Sequence, residues 1–333
     1  MIGFEENEIS KNANGGTELA KRKLAEIIDP ALLDEFQIIS SRHRAFNPEK
    51  IRIFWCHDLP EDPESNKFKD PNFVNSLHKM VFISNWQYSR YQLIHGIKYD
   101  EKSIILESGI EPAIVNLNDK PTDIIRLVYT STPQRGLELL VPVFEELAKI
   151  YPNIHLDVYS SFQIYGWDEA DKQFEPLYDR IRNHPQMTYY GFVSNNELRA
   201  SLNKAHIFAY PCIWLETSCR AMLEAMSAGL VCVHPNYGAL PETSGALNVM
   251  YHGDITDMNR HANIFANNLE AAINLVKSNN HQNMINFGKI YVDARFGLDR
   301  IKSQWESMLK GLLEKYPTVE SRQIPSQQFV YNR

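Results

Sequence analysis

Strand-length apolar runs, continuous rather than alternating, recur along this chain with helix-length segments between them. FQIIS (36–40), IRIFWC (51–56), MVFIS (80–84) and SIILES (103–108) come first. IIRLVYT (124–130), IHLDVYS (154–160), MTYYG (187–191), HIFAYP (206–211) and LVCVHP (230–235) follow, and MIGFEE at the start is a further candidate. A strand that is apolar on both sides must be covered on both faces, which is the condition of a parallel sheet between helices. The intervening LELLVPVFEELAKI (137–150), the stretch around 195–203 and SCRAMLEAMSAG (218–229) carry helical spacing. Strands alternating with such segments form strand–helix–strand units with right-handed crossovers, so the expected fold class is α/β.

Between Glu111 and Thr122 the chain turns polar and carries Pro112 and Pro121. This stretch reads as a linker separating residues 1–115 from 122–295, two doubly wound domains in tandem. Phe296, Leu298, Ile301, Trp305, Met308 and Leu312 recur at helical spacing, predicting an amphipathic terminal helix over 296–316. Open parallel sheets bind ligands outside the carboxyl ends of their strands, and the cleft between two such domains is the natural place for a site.

A chain of 333 residues, 44% hydrophobic and 23% charged, can bury such a core without staples. The net charge of −7 weighs against a general polyanion binder, so nucleic acid is not an expected partner. The four cysteines, Cys56, Cys212, Cys219 and Cys232, show no C-x-x-C pair and no zinc spacing, and read as buried thiols in a reducing compartment. The start lacks a basic segment leading into an apolar one, and no apolar run approaches the roughly 18 residues of a membrane span. The expected setting is cytoplasmic, with no membrane span. No D-x-D, G-x-G-x-x-G or Walker loop occurs, so neither a metal nor a bound cofactor is expected. Nothing in the sequence sets an oligomeric state.

The segment most suited to chemistry is WLETSCRAMLEAMSAGLVCVHPNYGALPE, residues 214–242. Glu216 falls where a strand ends and Glu224 within the helix that follows, while Thr217 and Ser218 stand where a helix N-cap belongs. Free N–H groups at that helix end suit a phosphate, and the two carboxylates suit sugar and ribose hydroxyls. Taken as two lone glutamates, the same residues also fit a first-turn acid and a solvated side chain.

This segment resembles the signature of the family 4 glycosyltransferases, enzymes of the GT-B fold with two facing Rossmann-like domains. Their two glutamates with seven residues between, followed by an E-A-M-A-x-G-x-P-V-V pattern, are matched by Glu216 and by Glu224-Ala225-Met226-Ser227-Ala228-Gly229-Leu230-Val231. The later G-x-x-x-L-P-E-like element is matched by Tyr237-Gly238-Ala239-Leu240-Pro241-Glu242. The resemblance implies that Glu216 contacts the donor sugar and Glu224 the ribose. It implies that Arg135, with Gly136, holds the diphosphate, and that Phe192 and Val193, in Tyr190-Gly191-Phe192-Val193, pack around the base. Gly15 and Gly16, before Thr17, correspond to a glycine loop near the donor phosphate, and His57, before Asp58, to a histidine near the reacting centre. Ser108-Gly109-Ile110-Glu111 corresponds to the element closing the first domain.

Two departures stand out. A second cation five residues before the lysine or arginine is replaced by Thr130, and the F-G after the first glutamate by Thr217-Ser218. Arg220 stands in the helix's first turn, where a cation opposes the dipole by about 0.3–1 kcal/mol, so it either meets a phosphate or is paired.

What the resemblance implies is a retaining, metal-independent transferase acting between a nucleotide-sugar donor and a glycan or small hydroxyl acceptor. The alternatives are an inactive module that binds a nucleotide-sugar or glycan, and another sugar-nucleotide enzyme of the same fold.

Overall fold

A computed structural model of the chain describes residues 3–4, 15–40 and 45–323. They divide by contacts into two units, one holding residues 3–4, Thr17–Glu107 and the residues from Ile301 onward, the other Gly15, Gly16 and Ser108–Arg300.

The first unit is built on a four-stranded parallel sheet. Its strands are β1 (Phe36–Ile39), β2 (Ile51–Cys56), β3 (Lys79–Phe82) and β4 (Ser103–Ile105), in the spatial order β1-β2-β3-β4. The central β2 is buried at every position, as its unbroken apolar run requires. Phe4 adds a parallel bridge to Ile38; the other residues of MIGFEE lie outside the described residues or, for Gly3, in a turn. The helix Leu298–Lys315 contributes Ile301, Trp305, Met308, Leu309 and Leu312 to the same core as Trp55.

The second unit carries six parallel strands. They are β5 (Ile125–Thr130), β6 (Ile154–Tyr159), β7 (Met187–Tyr189), β8 (Ile207–Ala209), β9 (Val231–Pro235) and β10 (Val249–Tyr251). Their order is β10-β9-β8-β5-β6-β7. The chain builds outward from β5 through β6 to β7, then returns to the other side of β5 and builds β8, β9 and β10. The reversal between β5 and β8 leaves a crevice at their carboxyl ends, the place where doubly wound sheets bind ligands.

The helix expected over 137–150 is observed as Leu137–Ile150, and the strand-length runs fall on the sheets. Strand β10 and the helices Met258–Lys277 and Gln282–Phe296 were not among the expected elements. Phe296 belongs to the second of these helices and to the second unit's core, not to the terminal helix stripe. The contact units change over at Glu107/Ser108 rather than near residue 115. Ile110 explains this, since its amide donates to the Phe296 carbonyl at 2.8 Å and its side chain is buried in the second core.

Candidate active site

The loop leaving β5 is fixed by a glycine. Gly136 has φ of 126°, and a Cβ there would lie 2.2 Å from the carbonyl oxygen of Pro211, just beyond β8. Only a residue without a side chain lets the two loops meet. The preceding residue, Arg135, is thereby set against the segment between β8 and the next helix, and its carbonyl accepts from the Ile213 amide at 3.3 Å.

Arg135 Nη1 donates to Glu216 Oε1 at 2.7 Å, and Tyr210 OH donates to the same oxygen at 2.6 Å. Arg135 Nη2 reaches Tyr165 OH, beyond β6, at 3.3 Å. Its guanidinium also lies 5.7 Å from the ring centre of Trp214. Glu216 is buried, whereas Trp214 is exposed. Burial pulls the Arg135 guanidinium down, but the Glu216 carboxylate, together with Tyr210, Tyr165 and Cys212, more than reverses this and holds it well above its usual range. Burial pushes the Tyr210 phenol well up, so it stays a donor. Sequence reasoning placed Arg135, Gly136 and Glu216 in the site, and the structure brings them together; it missed Tyr165, Tyr210 and Trp214.

The element Tyr237–Glu242 has a matching structural reason. Gly238 has φ of 60°, and a Cβ there would lie 2.8 Å from both the amide nitrogen and the carbonyl oxygen of Glu216. The amide of Ala239 then donates to that carbonyl at 2.8 Å. The turn braces the backbone of Glu216.

Glu224 sits in the helix Arg220–Ser227, where its Oε1 takes the Arg220 Nε at 3.0 Å. Arg220 also donates to the Gly109 carbonyl at 2.8 Å, so the first-turn cation is paired. The N-cap is Cys219, without a side-chain hydrogen bond, rather than Thr217 or Ser218, which lie half-buried in the turn before it. A cleft of about 290 Å³ opens beside Glu224, lined also by Pro112, Ile114, Asn196 and Arg199. Phe192 and Val193 are half-buried after β7, following Gly191 at φ of 66° and a Tyr190 ring stacked on Tyr159 at 4.5 Å.

His57 follows β2 in the first unit. It is buried, with its ring 4.5 Å from that of Trp55. Burial, with a contribution from the Lys21 ammonium, lowers its pKa to about 3. A group so weakly basic is a poor general base near neutrality. Gly15 is buried and Gly16, exposed, opens the helix Gly16–Ile27. All four cysteines are free, buried thiols. Among the described residues no group of three His, Cys, Asp or Glu side chains could hold a metal ion, and no helix is long and apolar enough to cross a membrane.

The sequence profile of the glycosyl transferases, group 1, matches residues 111–289, more than half of the chain and all of the site around Arg135, Glu216 and Glu224. The chain belongs to this family. Among curated proteins it is 29% identical over 203 residues to a phosphatidylinositol N-acetylglucosaminyltransferase subunit of Arabidopsis thaliana, covering 56% of this chain and 42% of that one. To the human protein of the same name it is 26% identical over 166 residues, 44% of this chain and 32% of that one. The matches thus span less than half the length of these relatives.

Solved glycosyltransferase structures share the fold. One from Rickettsia africae superposes with a TM-score of 0.64 at 16% identity, covering 92% of this chain and 84% of the other. Sucrose-phosphate synthase from Thermosynechococcus elongatus gives 0.66 at 14%, covering 90% and 78%. Anabaena HepE in complex with UDP-glucose gives 0.61 at 15%, covering 86% and 82%. The α/β architecture is that of the GT-B glycosyltransferases.

Proposed function

We propose that the chain moves a sugar from a nucleotide-diphosphate sugar to a hydroxyl of a glycan or small acceptor, with retention at the anomeric carbon. The observation that carries this reading is the Arg135–Glu216 pair at the crevice between β5 and β8. A cation suits the diphosphate, and a neighbouring carboxylate suits the hydroxyls of the sugar attached to it. In the proposed reaction the bond from the anomeric carbon to the diphosphate oxygen breaks. The acceptor oxygen bonds to the same face of that carbon, and its proton passes to the departing phosphate. Arg135 stabilises the charge that builds on the leaving group. Glu224, released from Arg220, holds the ribose hydroxyls, and Phe192 and Val193 flank the base. His57, with its low basicity, is given no role as a base in this scheme. The UDP-glucose bound by HepE makes UDP-linked sugars the first donors to test, and the names of the two curated relatives put N-acetylglucosamine among the sugars.

The deciding experiment compares UDP with uridine by calorimetry. Arg135→Ala is expected to weaken UDP by about tenfold or more, the scale of one charged hydrogen bond, and leave uridine unchanged. Arg135→Lys should recover part of the loss, because the charge survives and the fork does not. Equal losses for both ligands would remove Arg135 from the phosphates. Release of UDP from a UDP-sugar, in the presence of an acceptor, separates an enzyme from an inactive binding module.

The scheme draws no step from a metal. Turnover is expected to persist in excess EDTA; complete loss of turnover, restored by manganese or magnesium, would replace the scheme with a metal-assisted one.

A further inference from the structure

Buried polar groups in folded proteins find hydrogen-bond partners, and exceptions ask for an explanation. Several such exceptions gather at the carboxyl ends of two adjacent strands. Thr130 Oγ1 ends β5, Thr132 Oγ1 lies two residues on, and Ser160 Oγ directly follows β6; none has a hydrogen-bond partner. Thr130 stands opposite Tyr159 in the parallel register, so these hydroxyls leave neighbouring strands at one edge. Thr132 is 4% and Ser160 2% exposed, so bulk solvent does not satisfy them. Arg135 Nε, in the same loop, is likewise without a partner. Each of these four groups can donate a hydrogen bond, and an N–H can do nothing else. A ligand that accepts from all four at once, and whose negative charge suits the guanidinium, complements the ends of β5 and β6.

We infer that Thr130, Thr132 and Ser160 form a hydroxyl cradle that, together with Arg135, receives the diphosphate of the donor through neutral donors in place of a second cation. The inference rests on the proposed function and says how this chain binds the diphosphate with one guanidinium. A hydroxyl donating to an oxyanion makes a short charge-assisted bond without adding charge to the site. Glu216, whose oxygen already holds Arg135 and Tyr210, gives a second reason for neutrality. Its carboxylate stays available to the sugar only where Arg135 is not displaced from it by a competing fixed charge. The cradle also accounts for Thr130, which carries no charge where relatives in the resemblance carry a cation.

The test titrates UDP, ADP and GDP and their nucleosides against the full chain and three variants, Thr130→Val, Ser160→Ala and Thr130→Arg. The first two are expected to weaken the best-bound nucleoside diphosphate by about tenfold each, the scale of a hydrogen bond to a charged group, and to leave its nucleoside unchanged. Thr130→Arg restores a cation and should tighten the diphosphate while making its affinity more sensitive to added salt. A purely structural role for Thr130 predicts no tightening. If the wild-type chain binds a nucleoside diphosphate over its nucleoside but Thr130→Val and Ser160→Ala change both ligands equally or neither, the cradle is wrong and the proposed function stands. If the folded wild-type chain prefers no diphosphate over its nucleoside, both fall together.

Discussion

Replacing Glu216 with alanine is expected to abolish sugar transfer and to lower stability by about 3 kcal/mol, the lower end of the range for breaking a buried ion pair. The stability loss arises because one oxygen, Oε1, satisfies both the Arg135 guanidinium at 2.7 Å and the Tyr210 phenol at 2.6 Å. Without it Arg135 keeps its charge, and the phenol keeps a proton it can no longer donate. The lower end applies because the Arg135 side chain retains 22% exposure, so water recovers part of the loss. Glu216→Gln separates the two effects. An amide oxygen still accepts from Tyr210 and Arg135, so most of the stability should return. Turnover should not, because the carboxylate no longer accepts strongly from sugar hydroxyls. Denaturant unfolding measures the first quantity and UDP release from the donor the second. Turnover of Glu216→Gln within a few fold of wild type would show that the carboxylate's charge has no part in the reaction.

How far the sequence reached depended on how local each feature is. β2 and the helix Leu137–Ile150 were legible with their ends because their apolar runs and helical spacing are strong and continuous. β10 was not, since three residues with an exposed methionine in the middle carry no pattern, and the strand exists only because β9 offers an edge. The long helix Met258–Lys277 went unnamed although its buried Phe265, Leu269, Ala272, Ile273 and Val276 follow helical spacing, so there the signal was present in the sequence. The placement of Phe296 in the wrong helix has a physical reason. Gly297 breaks the chain between two helices, and the buried positions Val292 and Phe296 on one side and Ile301 and Trp305 on the other each keep helical spacing but do not join in one stripe, so the boundary shows only when the two stripes are followed separately. The GT-B fold and its family were legible because the motif around Glu216 and Glu224 is long. That motif singled out Glu216, and a separate Arg-Gly step singled out Arg135 and Gly136, which the structure brings together with Glu216; Tyr165 and Tyr210 beside them were not singled out. Tyr165 meets Arg135 from a loop 30 residues away, and Tyr210, although only 6 residues before Glu216, closes an apolar strand and looks like core. The unpartnered Thr132 and Ser160 hydroxyls were invisible because lacking a partner is a property of the packed structure.

Trp305→Ala is expected to cost the first unit about 3–5 kcal/mol, the range for truncating a fully buried tryptophan. Trp305 has no exposed surface and packs its indole edge-on against Trp55 at 4.9 Å. Around it in the same core stand Ile301, Met308, Leu309 and Leu312 from its own helix and the strand residues Ile53 and Val81. Deleting the ring leaves a cavity that β2 and β3, buried and fully paired at their centres, have little freedom to fill. Its indole N–H has no hydrogen-bond partner, so the ring contributes by volume and not by polarity. Trp305→Phe therefore removes an unsatisfied donor along with part of the volume, and should cost less than half as much as alanine. Urea unfolding of the three proteins tests this order. Binding of UDP supplies the control, because Arg135 and Glu216 sit in the second unit, which has a core of its own. UDP affinity should stay unchanged in folded Trp305→Ala while the first unit unfolds at lower urea. A folded Trp305→Ala variant that loses UDP affinity in proportion to its stability would show that the two cores are not energetically separate.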